Sequence, residues 1–287
     1  MQSSASALQD FVAPLREDDF TALLQQRKLT LLRGSHAERY RQLLGWQALT
    51  GMIERGEHPR QLDRFRLTRE STIVPPERWI SKGKIETQKL DAFLAEGFSM
   101  VITHLEPYVP PLAAVCAEIG SRLHESSYAG LIVTTGSSGA FKVHYDPEDL
   151  LILQVEGTKR WQFFGPAVPI PVRGMPKQAQ PDPSPIFDEV LRPGDFLYVP
   201  GGNWHHCESG PGRSIHLGIF MTPPTAWHAV RALTSDLLAD EMYRTPLTRL
   251  AREAELDAVE AELKERLIEK IRGLDLKDFV ARWTKKA

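Results

Sequence analysis

An α+β chain, with a β barrel or sandwich in its middle and helices on both sides, is what the 287 residues predict. Three observations carry this. Between Tyr128 and Phe220, short runs of β-branched and aromatic residues recur at near-regular spacing and are bounded by Gly and Pro turns. Before and after that stretch, apolar residues return every three or four positions, the period of a helix with one buried face. The composition, 42% hydrophobic and 25% charged, is that of a globular protein and excludes wholesale disorder.

In chain order, Glu38 to Ile53 places Leu43, Leu44, Trp46 and Leu49 on one helical face, and Gln88 to Glu96 is a second helix. Between them Phe65, Leu67 and the Ile73-Val74 pair read as short strands. Leu112, Val115, Cys116 and Ile119 predict a helix that starts after Pro110-Pro111, since proline suits a first helical turn. Leu131 to Thr135 is a strand that stops at the Gly136–Gly139 loop. Leu150 to Val155 and Arg160 to Phe164 flank Glu156-Gly-Thr-Lys159 and read as a hairpin. Gly165 to Pro193 holds eight of the 21 prolines and reads as one long irregular loop, expected to border a site and touch substrate. Strands resume at Phe196–Val199, His205–Glu208 and Ser214–Phe220.

After Pro223-Pro224 the pattern is helical: Ala226 to Leu238 with Thr225 as its cap, Leu247 to Ile271 ending at Gly273, and a last turn around Phe279 and Trp283. Their apolar stripes are expected to pack two copies into a homodimer. The expected domains are an N-terminal mixed helical region over 1–90, the barrel over 91–224 and C-terminal helices over 225–287.

A formal net charge of −2, from 35 basic and 37 acidic side chains, offers no electrostatic basis for coating nucleic acid. Apolar runs are too short for a membrane span, and the N-terminus lacks the basic-then-apolar pattern of a secretory signal. Two cysteines, Cys116 and Cys207, are too few for a disulfide framework and suit a reducing, cytoplasmic setting.

Chemistry concentrates in the strand-rich part. In an extended chain residues i and i+2 face the same side, so His144 and Asp146 reach one point together. A distal imidazole, His205, completes a set of two histidines and one carboxylate, which leaves three positions open on an octahedral metal and is the usual host of non-haem Fe(II). His-x-Asp alone recurs by chance in a chain with nine histidines. The more specific element is Gly194, Pro200, Gly202 and His205, which match G-x5-P-x-G-x2-H, the second signature of cupin barrels. His206 alternates to the opposite side of its strand, and Cys207 returns to the inner side as a packing residue. Lys159 is in step with Trp161 and Phe163, so it faces inward if they do, and a buried ammonium needs an anionic partner. With Ile215, Leu217 and Ile219 on one face of their strand, Ser214 and His216 take the other, either as satisfied structure or as part of a ligand site.

Beyond single motifs, the segments His144–Trp161 and Leu191–His206 resemble the Jumonji-C and cupin-like 2-oxoglutarate oxygenases. Within them they are similar to the branch of ribosomal oxygenases that hydroxylate protein side chains. The first segment shows H-x-D and then an apolar strand ending in L-Q-x-x-G-x-K-x-W. The second shows G-D-x-L-Y-x-P-x-x-x-x-H. The resemblance runs over roughly residues 60–222. It implies a double-stranded β-helix, Fe(II) held by His144, Asp146 and His205, and 2-oxoglutarate held by Lys159, with Thr134 as a further polar contact. It also implies an enzyme that hydroxylates a side chain in a peptide or protein, a free amino acid being the smaller alternative. Where some relatives carry an asparagine this chain has Gly130, and the tail is too short for their winged-helix domain as well as dimerisation helices. Two other readings stay open: a different metal cupin, such as an isomerase or a cosubstrate-independent dioxygenase, and a binding module with a vestigial metal site.

Overall fold

The computed structural model describes residues 6–283 apart from 13, 14, 35, 62, 177, 180, 181, 250 and 251, so three positions of the Pro-rich stretch and the first five residues lie outside the described part. The chain divides into two compact units, Met1–Thr222 and Pro223–Ala287.

Among the described residues, the strands of the first unit are β1 (Thr30–Leu32), β2 (Phe65–Arg69), β3 (Thr72–Ile73), β4 (Ile80–Ser81), β5 (Lys84–Ile85), β6 (Ser99–Thr103), β7 (Ser126–Thr135), β8 (Asp149–Glu156), β9 (Lys159–Pro166), β10 (Phe187–Leu191), β11 (Phe196–Val199), β12 (Asn203–Ser209) and β13 (Arg213–Thr222). The main sheet runs β1-β11-β8-β13-β7-β6-β2-β3, a second sheet runs β10-β9-β12, and β4-β5 pair separately. All the pairings are antiparallel. The two sheets and the helices around them make an α+β barrel.

Strand β8 shows why the chain folds this way. Its run Leu-Leu-Ile-Leu-Gln-Val is apolar on both faces, the pattern of a strand covered on both sides. Leu151, Leu153 and Val155 join the large core formed with the N-terminal helices, where Phe11, Tyr40, Leu49, Leu90 and Leu112 are buried. Leu150 and Ile152 face the other way and pack with Trp161, Phe163, Leu191, Leu197 and Val199 from both sheets. Because β1–β3 join the main sheet, the N-terminal residues add edge strands to the barrel as well as helices.

In the first unit the structure departs from the periodic reading in three places. The expected hairpin over Leu150–Phe164 does not form: β8 pairs with β11 and β13, and β9 with β10 and β12. The turn at Gly157, φ 61°, carries the chain from one sheet into the other, and a Cβ there would sit 2.0 Å from Arg213 O. A two-residue link with a glycine looks the same in sequence whichever way it turns. The Pro-rich stretch is shorter than expected, since Phe187–Leu191 leaves it as strand β10. The helix over Glu38–Ile53 is two helices, Ala37–Leu44 and Trp46–Arg55, split at Gly45. The Trp46 N–H there donates to Glu156 Oε1 at 2.9 Å, a cap supplied by the barrel that no local pattern encodes.

In the second unit Thr225 caps the helix Ala226–Leu237, its hydroxyl accepting from His228 N. The long helix begins at Glu253 rather than Leu247, because Leu247–Arg249 forms a 3₁₀ turn, and it ends at Arg272 before Gly273. Helix Leu276–Trp283 follows, its Trp283 ring 4.6 Å from that of His228.

Candidate metal centre and its cavity

His144 joins the second sheet through a single bridge to His205. The two exchange backbone bonds, His144 N to His205 O at 3.1 Å and His205 N to His144 O at 2.7 Å. Asp146 is pinned two residues on, its carbonyl accepting from Gly202 N at 2.8 Å. Gly202 has φ 90° and lies so close to Val168 O that a Cβ would meet it at 2.5 Å, which explains the glycine in the Pro-Gly-Gly turn before His205.

His144 Nδ1 donates to Lys142 O at 2.7 Å, and His205 Nδ1 to Asn203 O at 2.9 Å. A carbonyl accepts only, so both rings carry their proton on Nδ1 and keep the Nε2 lone pair free. Those Nε2 atoms lie 3.9 and 3.7 Å from Asp146 Oδ2, and the three ligating atoms are all within 4.8 Å of one another. Burial, reinforced by the neighbouring His144, holds the His205 imidazole below its ordinary pKa and so neutral, the form that binds a metal. His206 faces away, its ring nitrogens 3.9 Å from Glu70 and Glu208.

These groups open on a cavity of about 280 Å³ between the two sheets, whose walls include Leu150, Ile152, Lys159, Trp161, His216 and Phe220. Lys159 is 1% exposed. Its Nζ donates to Thr134 Oγ1 at 3.3 Å, and among the described residues it has no carboxylate partner. Desolvation pulls its pKa down to about 8. Two further buried nitrogens, His216 Nδ1 and Trp161 Nε1, have no hydrogen-bond partner among the described residues. Burial pushes His216 well below the ordinary imidazole range. Buried polar groups are normally paired, and a lone buried ammonium is costly. The cavity therefore gathers a cation and two nitrogens without partners among the described residues, together with a donor set of two imidazoles and a carboxylate. A divalent metal with an anionic, dicarboxylate-type ligand fits that arrangement.

Of the other anticipated residues, Thr134 sits behind Lys159 and also bonds Ser99 Oγ at 2.9 Å. Ser214 is buried but does not line the cavity, its hydroxyl accepting from Gln154 Nε2 at 2.9 Å. Cys207 lines the wall, its thiol pushed up to about 12 by burial.

Sequence reading missed an aromatic and charged rim. Phe220 turns inward over Gly130, where a Cβ would meet its ring at 2.9 Å, and stacks on Tyr128 at 4.7 Å, which stacks on His104 at 4.5 Å. Glu148, two residues past Asp146, is buried at the cavity wall and pairs with Arg173 of the Pro-rich stretch. Burial raises the Glu148 carboxyl against the pull of that guanidinium. The glycine at 130 was the available signal for Phe220; nothing periodic marks Arg173.

Two sheets enclosing a His-x-Asp…His mouth define a cupin-like barrel with a candidate metal site. More narrowly, residues 111–229 match the family described as JmjC domain. The chain is 28% identical over 208 residues to the bifunctional lysine-specific demethylase and histidyl-hydroxylase NO66 of Drosophila willistoni, covering 68% of this chain and 26% of that protein. It is 28% identical over 229 residues to human ribosomal oxygenase 1, covering 75% and 34%. The chain thus spans about a quarter to a third of the length of these curated relatives. Among solved structures, E. coli YcfD superposes with a TM-score of 0.59 at 18% identity, over 94% of this chain and 70% of that one. YcfD, a ribosomal oxygenase, in complex with cobalt and 2-oxoglutarate gives 0.52 at 16% identity, over 89% and 67%.

Proposed function

We propose that this chain is an Fe(II)- and 2-oxoglutarate-dependent oxygenase that hydroxylates an amino-acid side chain in a peptide or protein. The observation that carries this is a single cavity with a His-Asp-His set at one end and the buried, carboxylate-free Lys159 ammonium in its wall. In this reading His144, Asp146 and His205 hold the metal and leave three positions open, and Lys159 pairs with the far carboxylate of the cosubstrate. Thr134 steadies the lysine from behind, and His216 and Trp161 turn their free nitrogens to the same ligand. The metal, when bound, supplies the activation of O₂ against the 2-oxo acid. The residues around it orient the ligand and exclude water: Leu150, Ile152 and Phe220 make the wall apolar up to the donor set. The relatives' names, a histidyl-hydroxylase and a ribosomal oxygenase, support the same reaction class.

A macromolecular substrate is supported by an open groove of about 590 Å³ at the cavity mouth, which shares His144, Pro147 and Arg173 with it and adds Tyr145, Trp204 and Met175. The exposed apolar residues Leu256, Ile268 and Ile271 of the long C-terminal helix support a homodimer. The two free cysteines fit a reducing cytoplasm, and among the described residues no helix is long and apolar enough to cross a membrane. The test is an anaerobic thermal shift with Mn(II), alone and with 2-oxoglutarate, followed by mass spectrometry for +16 Da products in cell extract. A ligand that binds only the folded state raises the midpoint. Stabilisation by 2-oxoglutarate that requires Mn(II) is the expected result; its absence sends the reading back to a cosubstrate-independent cupin or a binding module.

A further inference from the structure

The segment from Gly139 to Asp146 carries two of the three proposed metal-binding side chains, yet among the described residues its one ladder pairing with the second sheet is the bridge between His144 and His205. A strand with one bridge has few ladder bonds to hold it in place. The tight turn that links β2 to β3 holds it instead. There Glu70 and Ser71 both adopt left-handed backbone, φ 49° and 65°, a conformation L-residues keep only where the surroundings fix it. The fixing bonds run straight to the ligand segment. Glu70 N donates to Gly139 O at 3.1 Å and Ser71 N to Ala140 O at 3.0 Å. Thr68 Oγ1, one strand residue earlier on the same face, donates to Ala140 O at 3.3 Å. Lys142 N returns a bond to Ser71 Oγ at 3.1 Å. The approach is close enough that a Cβ on Gly139 would lie 2.7 Å from Cys207 O and 3.0 Å from Glu70 Oε1.

The bond to Ser71 reaches the metal site in one further step. The peptide whose N–H it holds belongs to Lys142, and the carbonyl of Lys142 is the acceptor for His144 Nδ1 at 2.7 Å. We propose that Ser71 is a positioning residue for the metal centre: by anchoring Lys142 it keeps the His144 proton on Nδ1 and turns Nε2 toward Asp146. This rests on the metal reading given above. Ser71 itself is exposed, so removing its hydroxyl opens no gap in the core.

Ser71→Gly separates the two roles of the residue, because glycine accepts the positive φ without strain but cannot take the Lys142 N–H. The expected result is an unchanged or raised melting temperature together with Mn(II) affinity weakened by up to ~10-fold, the lower end of what loss of an outer partner of a ligating histidine costs. Nitrogen-15 NMR of the histidine rings in metal-free protein should show His144 as the Nδ1–H tautomer in the wild type and a mixture in Ser71→Gly. Ser71→Asn, which tolerates left-handed backbone and offers an amide oxygen, should restore both readouts. Wild-type affinity and a wild-type tautomer in Ser71→Gly overturn the positioning role. If the wild type itself binds no Mn(II), the metal reading fails, while the tautomer measurement still decides whether Ser71 controls His144.

Discussion

Lys159 Nζ and Thr134 Oγ1 meet at 3.3 Å in the wall of the cavity, a neutral hydroxyl being the sole hydrogen-bond partner among the described residues for an amine that is 1% exposed. A charge-assisted contact to a cosubstrate carboxylate is worth ~1.5–3 kcal/mol. Lys159→Ala should therefore raise the apparent KM for 2-oxoglutarate at least ~10-fold, with Lys159→Arg milder. Unaltered cosubstrate dependence in the alanine variant would remove the main support for the dicarboxylate reading.

The same amine sets a pH dependence. Its pKa in the ligand-free cavity is down to about 8, and a carboxylate beside it favours the charged form. Above pH 8, binding must therefore be accompanied by proton uptake, and affinity should fall by up to ~10-fold per pH unit until the pKa of the bound form is reached. In the ligand-free protein the sign reverses. The depressed lysine costs stability that is relieved as pH rises past about 8 toward its unfolded value. Calorimetry of 2-oxoglutarate binding between pH 7 and 9.5, in buffers of different ionisation enthalpy, reads the proton directly; no uptake means that Lys159 does not meet the ligand.

Asp146→Ala and His205→Ala should each weaken Mn(II) binding by at least ~100-fold and abolish turnover, since each removes a ligand of a three-donor set. His206→Ala should stay within a few-fold of the wild type, its ring being turned to Glu70 and Glu208. Electron paramagnetic resonance of free Mn(II) gives both numbers. Equal losses at 205 and 206 would contradict the alternation of β12.

Glu125 lies between the helix Pro110–Leu123 and β7, its Oε2 buried and without a hydrogen-bond partner among the described residues. Burial, then the nearby Asp149, raises its carboxyl to about 7. Between its unfolded pKa and 7 the folded state holds a proton that the unfolded state has lost, so stability falls as pH rises through that window and levels off above it. Glu125→Gln should raise the melting temperature at pH 8 and leave it unchanged near pH 4. A pH-independent difference between the two proteins would show that the carboxyl is not protonated in the fold.

Full-length protein at micromolar concentration is expected to scatter light as a dimer, and a chain ending at Thr222, the boundary of the first compact unit, as a monomer. A monomeric full-length protein rules the dimer out, and a dimeric truncated chain moves the interface to the barrel unit.

Much of this was legible in sequence because it is local. The strands around Val133, Tyr198 and Leu217, the helix after Pro110 and the inward step of Lys159 with Trp161 and Phe163 all follow from periodicity and turn residues. The His144–Asp146 pairing follows from the two-residue repeat of an extended chain. What stayed hidden depends on contacts between distant segments. The barrel's cap on Trp46, the pairing of Glu148 with Arg173 and the inward turn of Phe220 over Gly130 each join residues whose order along the chain carries no period. The destination of β9 was hidden for the same reason, since a strand's partner is chosen by the whole sheet.

That destination has a mechanical consequence. Gly157 and Thr158 span the gap between the sheets beside Lys159, and Gly157 is wedged against Arg213. At that end the covalent chain ties the sheets together. The His144–Asp146 segment lies farther along β9, near Phe163, and is tied across by a bridge of two hydrogen bonds. There too the chain crosses between the sheets, at residues 200–202 between β11 and β12, so the barrel is laced at both ends. A ligand gripped by Lys159 at its tail and by the donor set at its head would have the two held at a spacing fixed by the covalent chain.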